Sequence, residues 1–325
     1  MMTTPHNPSF SALFPGQGSQ YPGMSKVLLD QFPWIKEYFE EASDVIKTNL
    51  IKLCEEGPSE ELQLTMNAQP AILVTSFSWF KVLQKNLGFR PAAAAGHSLG
   101  EYSALTAADA LTLGQAVKLV RRRGELMQQA VPKGKGKMTA VIGLEDATIG
   151  EICKAASQES TSQVVPANFN APSQVVIAGH SEAVDRFTQL ASDPAKPQWK
   201  ARKLVALNVS APFHCPLMTP TALTFVKDLE QVPWRDPKFP IVSNLDAKMR
   251  TTGSLTDVLR DQIDHPVLWT ECVRTLDRHG MKQYIELGPS RVLTGLVKRI
   301  VEGATIHTID SLEDFKKLET VFKGV

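Results

Sequence analysis

Short apolar runs alternate with longer stretches in which apolar residues recur every three or four positions along nearly the whole chain. That alternation predicts an α/β protein with a mostly parallel sheet. Residues 9–14 read as a short apolar strand, followed by the loop PGQGSQ and a helix rich in Leu, Phe and Trp. A second helix spans 70–87, where Ile72, Phe77, Phe80 and Leu83 recur at helical spacing. Residues 92–95 are a strand of alanines, and 101–108 and 114–131 are helices. The pattern then changes after PKGKGK, residues 132–137, a solvated linker. A strand at 138–144, a helix at 146–156, strands at 164–168 and 174–178 around the turn FNAPS, a helix at 182–191 and a strand at 202–209 give the order βαββαβ, the ferredoxin-like split unit. From about residue 210 the larger unit resumes, with a strand at 241–243, helices near 255–262 and 267–278, a strand at 283–287 and a last helix beginning near 290. The expected division is a large subdomain, 1–132 with 208–325, and a small ferredoxin-like insert, 133–207.

Composition narrows the classes. A chain of 325 residues, 43% hydrophobic and 21% charged, can bury one large core or two unequal ones. Its 35 Lys and Arg against 34 Asp and Glu leave a net charge of +1, so no global field recruits nucleic acid or an anionic membrane, and neither is expected as a partner. The segment MMTTPHNPSF carries no basic run and no apolar core, and no stretch of about 18 apolar residues occurs, so a cytoplasmic location is expected. Cys54, Cys153, Cys215 and Cys272 stand far apart without metal-type spacing. They read as reduced thiols, with no disulfide framework and no metal site.

The candidate chemistry begins at Gly96-His97-Ser98-Leu99-Gly100, which fits G-x-S-x-G. In that nucleophile elbow a serine occupies a sharp strand-to-helix turn, and the flanking glycines remove side chains that would clash there. The alanine strand before it and the Ala- and Leu-rich helix after it supply the required context, and the N–H of Leu99 at the helix start suits a developing oxyanion. A nucleophilic serine needs a base. Of seven histidines, His6, His180, His265, His279 and His307 lack a partner motif, and His97 adjoins the serine and is better placed to line a pocket. That leaves His214, stiffened between Pro212 and Pro216. No Asp signature marks a third triad member; Asp246, Asp261 and Asp264 are available, and a backbone carbonyl is the alternative.

A second clue lies on the helix 114–131. At about 100° per residue, its apolar side chains fill one arc, and Arg123 falls inside it while Arg121 and Arg122 fall outside, where solvation explains them. A guanidinium on an apolar face requires acceptors or an anion. An internal ion pair, or a side chain that snorkels out at the end of the arc, is one solution; a substrate carboxylate, held bidentately, is another.

FPGQGSQ (14–20), GHSLGEYSAL (96–105), RGELMQ (123–128), ANFNAPSQVVIAG (167–179), VSAPFH (209–214) and the stretch 262–269 together resemble the malonyl-CoA:acyl carrier protein transacylases, in order along nearly the whole chain. The resemblance implies a large hydrolase-like α/β subdomain with a ferredoxin-like insert. It implies Ser98 as nucleophile, His214 as its base, the N–H groups of Gln17 and Leu99 as oxyanion hole, Arg123 as the clamp on the malonyl carboxylate, and the backbone at Gln262 as the carbonyl that orients the histidine. Leu99 and Phe213 resemble the malonyl-selective pattern. Lys137 departs from the family's pattern, where many relatives carry a small residue; it lies on the insert and leaves the implied chemistry intact. Malonyl-CoA is then a substrate, acyl carrier protein the partner, and no permanently bound cofactor is implied; a monomer is expected. A serine esterase or thioesterase shares the elbow, and a non-catalytic carrier-binding module would need no activated serine.

Overall fold

The computed structural model describes residues 9–132, 134–158, 161–253 and 255–324; His6 lies outside them, as do the ends of the expected large subdomain. The chain enters at β1 (Phe10–Phe14) and passes through four short helices, α1 (Lys26–Gln31), α2 (Lys36–Ile46), α3 (Leu50–Glu56) and α4 (Ser59–Gln63), into the long α5 (Thr65–Leu87). Then come β2 (Ala93–Gly96), α6 (Leu99–Ala107) and α7 (Leu113–Gln129). The middle of the chain is β3 (Gly136–Ile142), α8 (Asp146–Ala156), β4 (Val164–Ala171), β5 (Gln174–His180), α9 (Ser181–Leu190) and β6 (Lys203–Ala206). The last third is α10 (Thr219–Leu229), β7 (Ile241–Val242), β8 (Met249–Arg250), α11 (Thr256–Asp261), α12 (Trp269–Arg278), β9 (Gln283–Leu287), α13 (Val292–Ile300), β10 (Thr305–Ile309) and α14 (Leu312–Lys323).

Two sheets result. The larger has the order β10-β9-β1-β2-β7-β8 and is parallel except for the final β7/β8 pair. The smaller, β4-β5-β3-β6, is antiparallel throughout, and its βαββαβ order with these neighbours is the ferredoxin-like arrangement. Strand periodicity sorts the cores. On β1 and β2, Phe10, Ala12, Phe14 and Ala94 pack into the main core with α5 and α6, while Leu13, Ala93 and Ala95 face α12 and α13. One face of the small sheet buries Val141, Val164, Val175 and Ile177 against α8 and α9. Its other face sends Met138, Ala167, Val176 and Ala178 into the main core, so the two units share a wall.

Several expectations are corrected. The single Leu-, Phe- and Trp-rich helix after β1 is four short ones, because Phe32-Pro33, Asn49 and Gly57-Pro58 interrupt it. The helix expected from 70 begins at Thr65, with Pro70 inside it. Proline cannot donate to the carbonyl four residues back, and that carbonyl, on Met66, accepts instead from Arg121 Nη1 at 3.4 Å. Arg121 is therefore not merely a solvated residue: its side chain is 18% exposed and also donates to Asn67 Oδ1 at 2.7 Å. The FNAPS turn shrinks to Pro172-Ser173, and β6 stops at Ala206, where the chain leaves the sheet. The helix near 290 is not the last, since β10 and α14 follow it. TIHTI is a half-exposed edge strand, too polar to stand out as an apolar run.

The glycines of the elbow are fixed by contact. A Cβ on Gly96 would lie 1.9 Å from the backbone of Gly100, and one on Gly100 would lie 2.0 Å from Phe14 O. Gly150, inside α8, has open space around its missing Cβ. Gly96→Ala is therefore expected to destabilise the protein by about 4 kcal/mol or more, whereas Gly150→Ala stabilises it by about 0.5–1 kcal/mol; urea unfolding curves of the two variants measure both.

Candidate active site

β2 ends at Gly96 and α6 begins at Leu99, leaving Ser98 to make the turn with φ 51° and ψ −104°. Such backbone costs about 1–3 kcal/mol and persists only when its surroundings impose it. Here Asn244, just beyond β7, supplies much of that constraint: its Oδ1 accepts from Ser98 N at 2.6 Å and its Nδ2 donates to Gly96 O at 2.7 Å. The N–H of Leu99, the first residue of α6, has no partner within the helix.

The loop after β1 lies against this turn. A Cβ on Gly16 would come within 2.5 Å of His97 O, so the glycine lets Gln17 approach the elbow closely. Gln17 Nε2 donates to Thr65 Oγ1 at 3.1 Å, which fixes the loop on α5.

His214 is 3% exposed and held at φ 57° in the proline-flanked segment ahead of α10. Its Nε2 lies 2.7 Å from Ser98 Oγ and its Nδ1 2.8 Å from the backbone O of Gln262. A carbonyl only accepts, so Nδ1 carries the hydrogen and Nε2 is left as the acceptor facing the serine. Burial, and next the positive charge of Arg123, press the His214 pKa down to about 3. The imidazole is neutral at pH 7 and can take a proton. Asp246, Asp261 and Asp264 are engaged elsewhere, with Arg250, Arg260 and Thr219 respectively.

Arg123 projects from α7 into the same space and is 1% exposed. Among the described residues no carboxylate pairs with it. Nη1 donates to Gln69 Oε1 at 3.0 Å, and Nη2 donates to Gln262 Oε1 at 2.9 Å and to Ser98 Oγ at 3.1 Å. Its carbon lies 5.5 Å from the centre of the Tyr102 ring, a favourable position for a cation. Burial lowers its pKa, opposed by Tyr102 and Glu101, and a guanidinium retains its charge regardless. Gly124 makes this burial possible, because a Cβ there would meet Met66 Cα at 2.6 Å and hold α7 away from α5.

These groups surround a cavity of about 500 Å³ lined by Gln17, His97, Ser98, Arg123, Phe213 and His214, with Met138 and Asn168 from the small sheet. His97 Nε2 pairs with Asn170 Oδ1 at 2.8 Å, and burial keeps its pKa below the usual histidine range. Leu99 and Gln262 stand behind the wall, both buried. The six sequence-selected lining residues thus converge. What sequence reasoning missed is the set of amides and acids around them: Gln69, Asn244, the side chain of Gln262, and Glu101. Only Glu101 left a sequence signal, as a carboxylate within the small and apolar run LGEYSALTA. Among the described residues no group of His, Cys, Asp and Glu is arranged to hold a metal ion, and no helix is long and apolar enough to cross a membrane.

The arrangement sets a serine hydroxyl against a neutral imidazole and beside an anchored cation. A family model described as an acyl transferase domain matches residues 12–320. The malonyl CoA-acyl carrier protein transacylase of Escherichia coli (strain K12) is 43% identical over 303 residues, 93% of this chain and 96% of its own. Among solved structures, the acyl carrier protein S-malonyltransferase of Vibrio cholerae O1 superposes with a TM-score of 0.90 at 42% identity, covering 95% of this chain and 99% of that one. A malonyl-transacylase solved in complex with its type II PKS acyl-carrier protein gives 0.91 at 42% identity, with 98% and 100% covered. With a family model spanning most of its length and relatives alike in sequence and in fold, the chain belongs to the malonyl CoA-acyl carrier protein transacylases, a family of acyl transferases.

Proposed function

We propose that this enzyme moves a malonyl group from malonyl-CoA to the phosphopantetheine thiol of acyl carrier protein through a malonyl ester on Ser98, supplying fatty acid or polyketide synthesis. The observation that carries this reading is Arg123: a fully buried guanidinium with only neutral acceptors, one of them the hydroxyl of Ser98 at 3.1 Å. A short acyl group with a free carboxylate satisfies that charge and brings its thioester carbonyl to the serine at the same time.

The steps follow from the contacts. Ser98 Oγ attacks the thioester carbonyl while its proton passes to His214 Nε2, and the Gln262 carbonyl stabilises the imidazolium through Nδ1–H. The N–H groups of Gln17 and Leu99 receive the oxyanion, a donor of this kind contributing about 10²- to 10³-fold in rate. Collapse of the tetrahedral intermediate expels the coenzyme A thiolate, which takes the proton from His214. In the second half the carrier's thiol gives its proton to the neutral imidazole and attacks the ester, releasing Ser98 and completing a ping-pong exchange. Phe213 and His97 line the cavity beside Ser98, and Leu99 is buried; this lining supports the malonyl-selective reading. The enzyme is read as a monomer. The reading takes residues 133–207 as a small subdomain set into a large one, 1–132 with 208–325, and the cavity lining drawn from both sheets supports it.

The decisive experiment is incubation with malonyl-CoA followed by intact-mass and peptide mapping. A malonyl adduct on Ser98 that disappears when carrier protein is added is expected; free malonate released equally fast without carrier would instead mark a hydrolase. Arg123→Ala is expected to lower kcat/KM for malonyl-CoA by about 10²-fold, the effect of losing a buried charge pair of about 3 kcal/mol, while acetyl-CoA use is spared. Equal losses would make the arginine structural.

The pH dependence has a definite sign. With His214 held at about 3, labelling of Ser98 by an uncharged phosphonate ester is expected to stay level from pH 8 to below 5, with no inflection near the ordinary histidine value. Arg123→Ala removes a cation that disfavours the imidazolium, so the acid limb of the same labelling curve moves upward in pH. An inflection near 6.5 in the wild-type protein would contradict the assignment.

A further inference from the structure

Glu101 is buried on α6, one turn after Ser98, and takes no part in the steps above. Its Oε2 accepts from Gln262 Nε2 at 2.7 Å and from Asn244 N at 3.1 Å. Gln262 in turn contacts Ser98, His214 and Arg123. Its backbone O meets His214 Nδ1, its Oε1 accepts from Arg123 Nη2, and its Nε2 also donates to Ser98 O at 3.0 Å. The two ends of a glutamine amide have the same shape, so only their partners decide which end faces which way. Arg123 has only donors to offer and demands the oxygen, whereas Glu101 and Ser98 O are acceptors and demand the nitrogen.

The separation of charges is equally informative. Had the carboxylate touched Arg123 directly, the ion pair would be satisfied internally and a substrate carboxylate would have to displace it. With Gln262 between them, Glu101 fixes the amide that positions the guanidinium, yet leaves its charge unpaired. We infer that Glu101 is a positioning residue for malonyl selectivity: acting through Gln262, it holds Arg123 in line with the substrate carboxylate. The inference rests on the role proposed above for Arg123.

The test compares kcat/KM for malonyl-CoA and acetyl-CoA in the full-length protein, with thermal melting as the check on folding. Glu101→Met, similar in length but without an acceptor, is expected to lower the malonyl-to-acetyl ratio about 10- to 100-fold, the range for losing a hydrogen bond to a charged group, mainly through KM for malonyl-CoA. Glu101→Gln, which restores an acceptor oxygen, recovers most of the ratio. If Glu101→Met does not fold, Glu101→Asp, which withdraws the carboxylate by one methylene, carries the same expectation. A folded variant that loses both substrates equally, or neither, would overturn the inference. Arg123→Ala in the same assay separates the two readings: a selective loss there alongside an unselective one at Glu101 sinks only this inference, and an unselective loss at Arg123 sinks both.

Discussion

The structure is organised around a positive charge buried without a negative partner. Removing a guanidinium from water costs several kcal/mol, and a protein ordinarily offsets that with a carboxylate in contact. Here Arg123 has two glutamine oxygens, a serine hydroxyl and the face of Tyr102, and its Nε finds no hydrogen-bond acceptor among the described residues. Neutral acceptors meet the geometry of the guanidinium without cancelling its field. The remaining attraction stays available to an anion entering the cavity, and on the function proposed above that anion is the substrate carboxylate. The backbone around the arginine serves the same end: Gly124 allows α7 to close on α5, and Arg121 meets the carbonyl that Pro70 leaves without a donor.

The second constraint is the strained turn at Ser98, and it is tied to the first. Asn244 bonds the backbone on both sides of His97, Gly96 and Gly100 admit contacts that no side chain would permit, and Gln262 Nε2 holds Ser98 O. Because Gln262 also contacts His214 and Arg123, the hydroxyl, the imidazole and the guanidinium are positioned by one shared residue. Displacing any of the three disturbs the others, so substitutions among them are expected to combine non-additively. The same proximity sets the electrostatics: burial first, and then the Arg123 cation, hold the imidazole neutral. On the function proposed above, a bound carboxylate would offset that cation and make the imidazole a stronger base.

Much of this was legible in the chain. The parallel α/β pattern, the βαββαβ insert, the elbow at Ser98 and the arginine inside an apolar helical arc all rest on local periodicity or on residues adjacent in sequence, and the structure bears out those elements. The four helices after β1, and the β10-α14 pair at the end, were not legible. The first are broken by caps and turns shorter than a periodicity window; β10 is a half-exposed edge strand whose register comes only from β9. Arg121 shows how a surface reading fails, since its role depends on a carbonyl on another helix.

By itself, then, the sequence determined which chemical groups are present, which local turn holds the serine, and that one guanidinium falls on an apolar helix face. Only the tertiary structure decided what surrounds that guanidinium. Gln69, Asn244, Glu101 and Gln262 lie on separate elements, and their partners are up to 164 residues away along the chain. The amides carry no periodic or motif signal of this role, and the acid in its apolar run gives no sign of its partner, because these hydrogen bonds exist only once the helices and strands have packed.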